Sequence, residues 1–165
     1  MPLIKLNATQ GLTGTLPAVS GANLTGISAG KIVQVKQESL STQASTTSTS
    51  FVSTGLDIDF TPSSSSNKVL VSFMLNNYAI SSNTQTRVTI YRDSTNLGHS
   101  TYGLLEGYTN VHHGYPLGML FLDTPNTSSQ IHYEIYVSTN SGTLHYGGNG
   151  SYAMTDYIQC FEVEA

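Results

Sequence analysis

The side chains that could do chemistry in this sequence are ten acidic residues, five histidines, ten tyrosines and one cysteine. Two carboxylates in different environments could hydrolyse a glycosidic bond. However, Asp57 and Asp59 share one face of a predicted strand, which we interpret as its solvent side, and Asp93 and Asp123 open turns that an aspartate would cap. We also find no nucleophile elbow, phosphate-binding loop or zinc-protease motif. The sequence therefore predicts no catalytic residues and favours a protein that is not an enzyme.

The histidines and the cysteine favour structural roles. His112 and His113 are adjacent, so on a strand their side chains point to opposite faces, and no cysteine or carboxylate is spaced to complete a ligand set. We expect no metal site and no cofactor, although one histidine on a three-fold axis would supply three ligands. Cys160 is the only cysteine. Its apolar neighbours predict a small buried hydrophobe.

A tyrosine-rich stretch is the remaining candidate for a binding site. Tyrosine offers a flat face and a polar tip, and loops on a β scaffold often carry function. Such a loop would suit a glycan or a protein on a cell surface. The alternative, which the sequence favours, is that these residues close one end of the sandwich or form subunit contacts. The candidate ligand loop comprises Tyr102, Glu106, Tyr108, His112, His113 and Tyr115.

Composition excludes several classes of function. Charged residues make up 10% of the chain, hydrophobic residues 38%, and the formal net charge is −4. The six basic residues are scattered, so we expect no nucleic-acid binding. No run of about eighteen apolar residues is present, which predicts no membrane insertion. Residues 1–5 lack the pattern of a secretory signal, so we expect synthesis in a cytoplasm without cleaved export.

Residues 1–30 differ from the remainder of the chain. They are rich in glycine, fit neither a helical nor an alternating period, and contain isolated hydrophobes. We interpret them as an extended attachment or oligomerisation arm, with a disordered terminus as the alternative. The arm residues predicted to be buried against another chain are Leu3, Ile4, Leu6, Leu12, Leu16, Leu24 and Ile27.

Residues 31–165 show the alternation of β-strands. About eight to ten short strands separated by turns predict an all-β fold, an antiparallel sandwich or jelly roll. Around residues 69–75 both faces of one strand are apolar, so Leu70 and Met74 are a candidate subunit interface, unless a loop covers them. Residues 39–50 predict a loop or a polar edge strand, and residues 94–115 predict long loops.

Several segments resemble proteins of tailed bacteriophages. They are GTLPAVSGANLTGIS, TSTSFVSTGLDIDFTPSSSSNKVLVSF, RVTIYRDSTNLG, FLDTPNTSSQIHYEIYV and IQCFEVEA, which together extend from about residue 11 to the end. They are similar to tail-fibre and other virion surface proteins. The resemblance implies a particle-bound, non-enzymatic protein with a C-terminal β knob, commonly a trimer of jelly rolls. The sequence reaches the arm almost at Met1 without a long shaft, which leaves a short fibre, a separate tip subunit or a capsid decoration protein.

We therefore expect a structural protein on the virion surface, a short trimeric fibre or knob held by its arm. Its expected partners are further copies of itself, as a homotrimer, and the capsid or tail proteins of the phage. One alternative is a capsid decoration protein that lies over capsomer junctions. A second is a tail tip that binds a receptor or glycan of the host.

Overall fold

The structure is a computed structural model that describes residues 31–79, 84–109, 113–147 and 154–164. The arm, residues 1–30, lies outside the described residues. All the regular structure described is β-strand and all the strands pair antiparallel, which confirms the predicted fold. The strands are β1 (Ile32–Leu40), β2 (Ala44–Thr46), β3 (Val52–Phe60), β4 (Lys68–Ala79), β5 (Thr84–Arg92), β6 (Thr95–Asn96), β7 (Leu105–Thr109), β8 (His113–Asp123), β9 (Ile131–Thr139), β10 (Leu144–Tyr146) and β11 (Asp156–Val163).

The strands form two sheets. In the first, which we call the front sheet, β4 pairs with β8 along one edge, and with β11 and then β10 along the other. β1 and β2 lie outside β11 and β10. In the second, the back sheet, the order is β3-β9-β5-β6, and β7 also pairs with β5. The two sheets make an antiparallel β-sandwich in which β4 is a central strand.

The core lies between the sheets and is filled by side chains that alternate along the strands. On β3, for example, Leu56, Ile58 and Phe60 are buried while Asp57 and Asp59 are exposed. Each fully buried side chain of this size stabilises the fold by about 1.5–3 kcal/mol. The buried apolar residues are Leu56, Ile58, Phe60, Val69, Val71, Phe73, Leu75, Val88, Ile90, Leu117, Ile131, Tyr133, Ile135, Val137, Leu144, Tyr146, Ile158 and Cys160.

Cys160 is buried in this core, as predicted. Burial raises the pKa of its thiol to about 12, so the thiolate that would react is scarce at neutral pH. Across the described residues, no helix is long and apolar enough to cross a membrane.

The region from residue 94 to residue 115 was predicted to form one or more long loops, which holds for residues 97–104 but is wrong for the strands on either side of them. It contains β6, β7 and the beginning of β8. The strand β7 is short, and its inward position 107 is a glycine. A Cβ at Gly107 would lie 2.5 Å from the hydroxyl oxygen of Tyr115. The missing side chain lets the tyrosine ring fit beneath β7, but it also removes the apolar alternation that identifies a strand in the sequence.

Two smaller expectations are also refined. Eleven strands are described rather than eight to ten, because β2, β6 and β10 have only two or three residues each. Residues 39–50 were left open between a loop and a polar edge strand. They contain the end of β1 and the short edge strand β2, so both descriptions apply to parts of the segment.

Candidate interaction surface on the front sheet

The outer face of the front sheet is built by the residues that alternate with the core. On β4, Leu70 and Met74 point away from the buried Val69, Val71 and Phe73. Met74 is exposed and Leu70 is half-buried, and no described loop covers them. The structure thus places both residues of the candidate subunit interface on one open surface.

A line of apolar side chains crosses this face at right angles to the strands. Leu122 on β8 is opposite Leu70 on β4, Leu70 is opposite Phe161 on β11, and Phe161 is opposite Val35 on β1. We call these four residues the apolar row. Because neighbouring strands are about 4.8 Å apart, the row is about 15 Å long. Leu122 is 50% exposed and Val35 is 56% exposed, so both ends of the row are open.

Further apolar side chains extend the row along the strands. Leu120 follows on β8 and is 64% exposed, and Ile32 begins β1 at the end of the sheet. Between Met74 and Gln159, a depression of about 170 Å³ is bordered by Ser72 and Tyr157. It has room for one aliphatic side chain beside the row.

The surroundings of the row are polar but almost uncharged. Ser72, Gln159 and Gln37 form the next line across the sheet, and Gln159 Nε2 donates to Gln37 Oε1 at 2.5 Å. Among the described side chains that point outward from β1, β4, β8 and β11, the charged one is Lys68, the first residue of β4. A contiguous, uncharged apolar patch of this kind is typical of a surface that another chain covers.

The outer face of the back sheet is different. His132 on β9 lies opposite Asp59 on β3, and its Nδ1 is 2.8 Å from Asp59 Oδ1. Asp57 Oδ2 is 4.0 Å from Nδ1, and Glu134 Oε2 is 3.8 Å from Nε2. We call these four residues the histidine–carboxylate cluster. Asp57 and Asp59 are exposed, as predicted, but the histidine between the carboxylates was not foreseen because it is distant in sequence.

Electrostatics in the cluster follow from these distances. The hydrogen bond to Asp59 raises the pKa of His132, burial opposes this, and the negative charges of Asp57, Asp59 and Glu134 raise it further. In return, the hydrogen bond from His132 lowers the pKa of Asp59. The three carboxylates thus surround one histidine at the surface, and their effect on its pKa favours the protonated ring. Among the described residues, no three acidic, histidine or cysteine side chains are placed to hold a metal ion.

The predicted ligand loop is only partly assembled. Glu106 and Tyr108 point outward from β7, and Glu106 lies opposite Arg87 on β5. The ring of Tyr102 lies 5.2 Å from the Arg87 guanidinium, so these residues share the outer face of the back sheet.

The other members of the predicted ligand loop do not join this group. Tyr115 on β8 points into the sandwich, and burial raises the pKa of its phenol. The expectation that Tyr115 belongs to a binding loop is therefore wrong. His112 lies outside the described residues, and His113 begins β8.

Asp123 was predicted to cap a turn, and this prediction is wrong. It is buried at the end of β8, where Arg92 Nη1 lies 2.9 Å from both carboxylate oxygens. The hydroxyl of Tyr133 donates to Asp123 Oδ2 at 2.7 Å. Burial and this hydrogen bond both raise the pKa of Tyr133. No local signal in the sequence could reveal the ion pair, because its partners are 31 residues apart.

Glu162 is a second buried carboxylate that sequence reasoning missed. It lies on the inner side of β11, next in sequence to Phe161 of the apolar row, and is 0% exposed. Oε1 accepts from Ser63 N at 2.8 Å, Ser63 Oγ at 2.7 Å and Asn67 Nδ2 at 2.7 Å. Oε2 accepts from Gln34 Nε2 at 2.6 Å. Burial alone would raise the pKa of Glu162, but these hydrogen bonds together lower it.

The arm residues cannot be placed on this surface from the structure. Leu3, Ile4, Leu6, Leu12, Leu16, Leu24 and Ile27 all lie outside the described residues. Their predicted burial against another chain stays a prediction.

Comparison with known proteins gives structural neighbours only. No protein-family model matches the chain, and no curated protein matches it. It is similar to a structure of infectious bursal virus-derived T=1 particles, with 12% identity and a TM-score of 0.42 over 90% of this chain and 42% of that one. It is also similar to the VP2 subviral particle of infectious bursal disease virus, with 11% identity and a TM-score of 0.40 over 91% and 42%. The chain thus spans about two-fifths of the length of these neighbours.

Proposed function

We propose that this chain is a non-enzymatic structural protein of a tailed-bacteriophage virion, a short trimeric fibre or knob held on the particle by residues 1–30. The observation that supports this function most directly is the apolar row on the outer face of the front sheet. Its members carry no acid, base, nucleophile or metal ligand. Such a surface can bind another chain by packing apolar side chains together with water excluded, which is how subunits associate in an assembly.

Energetics support assembly through the front sheet. Burying one exposed leucine or valine contributes about 1.5–3 kcal/mol. The neighbouring Ser72, Gln37 and Gln159 can pack against another chain without the desolvation penalty of a charge. A symmetric homo-oligomer, the common outcome for soluble oligomers, would cover the row in every copy.

A receptor-binding tail tip is the second candidate, and one observation favours it. On the outer face of the back sheet, the Arg87 guanidinium lies over the ring of Tyr102 and opposite Glu106, and Tyr108 lies opposite the neighbouring Gln85. Exposed tyrosines beside a charged group are typical of surfaces that bind glycans or proteins. In an assembly joined through the front sheets, this group would face outward and stay accessible.

The test is to locate the subunit on phage particles. Electron microscopy of particles that carry a C-terminal label on this chain should show density at the tail. Density over the capsid would instead favour a decoration protein, and loss of adsorption alone in a Tyr102→Ala/Tyr108→Ala phage would favour the receptor-binding tip. Absence of the chain from purified particles would overturn the virion assignment altogether.

A truncated chain that begins at Lys31 tests the role of the arm. It should keep the β-sheet circular-dichroism spectrum and the thermal midpoint of the full chain, because the described sandwich begins there. It should also lose incorporation into particles. If the truncated chain is incorporated as well as the full chain, the arm does not attach it.

A further inference from the structure

The size of the apolar row indicates whether a folded protein or an extended segment binds there. A stable interface between two folded proteins buries about 800 Å² on each partner. The row crosses four strands over Leu122, Leu70, Phe161 and Val35, Leu120 and Met74 lie beside it, and the depression has room for one more side chain. A patch this small, with a depression in it, matches a single extended segment better than the flat face of a second sheet.

Residues 1–30 have the composition that such an occupant needs. They hold isolated leucines and isoleucines separated by small residues, and their one charged side chain is Lys5. A segment of this kind could lay separate apolar side chains along the row and into the depression. Because both surfaces are almost uncharged, neither would bury an unpaired charge on contact.

The position of Lys31, where the described sandwich begins, indicates whether the segment comes from the same chain or from a neighbouring copy. Glu164 N donates to the carbonyl oxygen of Lys31 at 3.0 Å, and the two side chains form an ion pair at 3.5 Å. These contacts hold Lys31 in line with β1, one residue before Ile32 at the end of the sheet. Because Val35 and the row lie in the opposite direction along β1, a segment that continued the line of β1 from Lys31 would point away from its own row.

We propose that the outer face of the front sheet binds the part of the N-terminal segment that carries Leu12, Leu16, Leu24 and Ile27, supplied by a neighbouring copy of this chain, which leaves the residues before Leu12 for the particle. The inference rests on the proposed function, because it requires several copies side by side. Each copy would give one segment and receive one, so the contact is heterologous and closes when the copies form a ring. At up to about 3.3–3.6 Å per residue, the seven residue steps from Leu24 to Lys31 can reach up to about 25 Å, enough to cross to an adjacent subunit.

Disulfide trapping in the full-length chain tests the proposal. Two chains with tags of different length are co-expressed, one with Leu24→Cys and the other with Leu122→Cys. Parallel pairs use Leu12→Cys, Leu16→Cys or Ile27→Cys in the first chain. The native Cys160 is buried and unreactive, so it does not interfere. In the matched control, the second chain carries Tyr108→Cys, an exposed position on the back sheet.

We expect at least one segment position to form a disulfide with Leu122→Cys, linking chains of different tag length, at tenfold or higher yield than with the control. Leu120→Cys serves as a second acceptor, and thermal midpoints confirm that each variant folds. The proposal is overturned if a single chain carrying both cysteines closes on itself at high dilution while the mixed chains do not link. It is also overturned if no segment position links above the control. Both results leave the particle location, and hence the proposed function, to be judged separately.

Discussion

The outer faces of the two sheets have the same backbone geometry and different surface chemistry. On the back sheet, His132 is surrounded by the carboxylates of Asp57, Asp59 and Glu134, so its charged groups find partners within the same chain. On the front sheet, Leu122 and Val35 end a row of apolar side chains that no described residue covers. One face pairs its acidic and histidine side chains within the single chain, and the other is the open apolar surface to which we propose that another copy binds.

Charged side chains line one edge of the sandwich, whereas the outer face of the front sheet has few. β1 and β3 are neighbouring edge strands, and a groove of about 330 Å³ between them is lined by Lys36, Glu38, Asp57 and Asp59. Charges on edge strands discourage pairing with the strands of other molecules. Charged side chains thus line this edge while the front face carries few of them, which agrees with the proposed association through the apolar row.

The largest expected difference between the two faces is in self-association, and it is tested by making the front face polar. We expect Leu120→Asn/Leu122→Asn to weaken self-association about a hundredfold, because two exposed leucines lose about 1.5 kcal/mol or more each at the interface. Both side chains are at least half exposed in the single chain, so the thermal midpoint should change little. Analytical ultracentrifugation measures the effect.

The matched control for this change is Tyr108→Asn. Tyr108 is a large exposed side chain on the outer face of the back sheet, at 60% exposure. It should leave self-association unchanged. Equal weakening by both variants would show that the two faces do not differ in the way we infer.

A second substitution removes the hydrogen-bonded carboxylate of Glu162, on the inner side of the strand that carries Phe161 of the row. We expect Glu162→Gln to lower the free energy of unfolding at pH 7 by about 1–3 kcal/mol, because an amide replaces a carboxylate that accepts four hydrogen bonds. Urea denaturation measures this loss. Glu164→Gln, whose exposed partner is Lys31, is the control and should cost much less.

The pH dependence of this effect has a defined sign. Because the pKa of Glu162 is lowered in the folded state, its contribution is present above the unfolded pKa and is lost as the pH falls through the folded pKa. The difference between Glu162→Gln and the unaltered chain should therefore shrink in acid. A difference that is constant from neutral to acidic pH would contradict the role of the charge.

The smallest effect concerns the back face. We expect Asp59→Asn to lower the pKa of His132 toward its ordinary value, because the hydrogen bond at 2.8 Å is the main cause of the elevation. Histidine ring protons in an NMR titration report this pKa. Asp57→Asn should lower it less, since that oxygen is 4.0 Å away. Neither variant should alter self-association.

The stability contribution of this pair follows from both shifts. The raised pKa of His132 gives a contribution that is complete below its unfolded pKa and is lost as the pH rises through its folded pKa. The lowered pKa of Asp59 gives one that is lost as the pH falls through the folded pKa of the carboxyl. The pair therefore stabilises the fold most at mildly acidic pH, and Asp59→Asn should remove that maximum in urea denaturation followed against pH.

The sequence predicts those parts of the fold that depend on a local pattern of apolar and polar residues, and not those that depend on distant partners. Leu56, Ile58 and Phe60 alternate with polar residues, so their strand and their burial could be predicted without tertiary information. β7 could not be predicted, because Gly107 interrupts its apolar pattern to make room for a ring from the other sheet. Asp123 was misassigned for a similar reason, since its partner Arg92 lies on another strand.

The sequence by itself determined an all-β chain, the alternation that fills its core, and the two apolar faces of the strand that carries Leu70. These follow from the two-residue period of a strand, which is a local property. Only the tertiary structure decided that Leu122, Phe161 and Val35 join Leu70 in one row, and that Asp59 meets a histidine 73 residues away. Strand order and register decide those neighbours, and they depend on pairing between distant segments that no local pattern specifies.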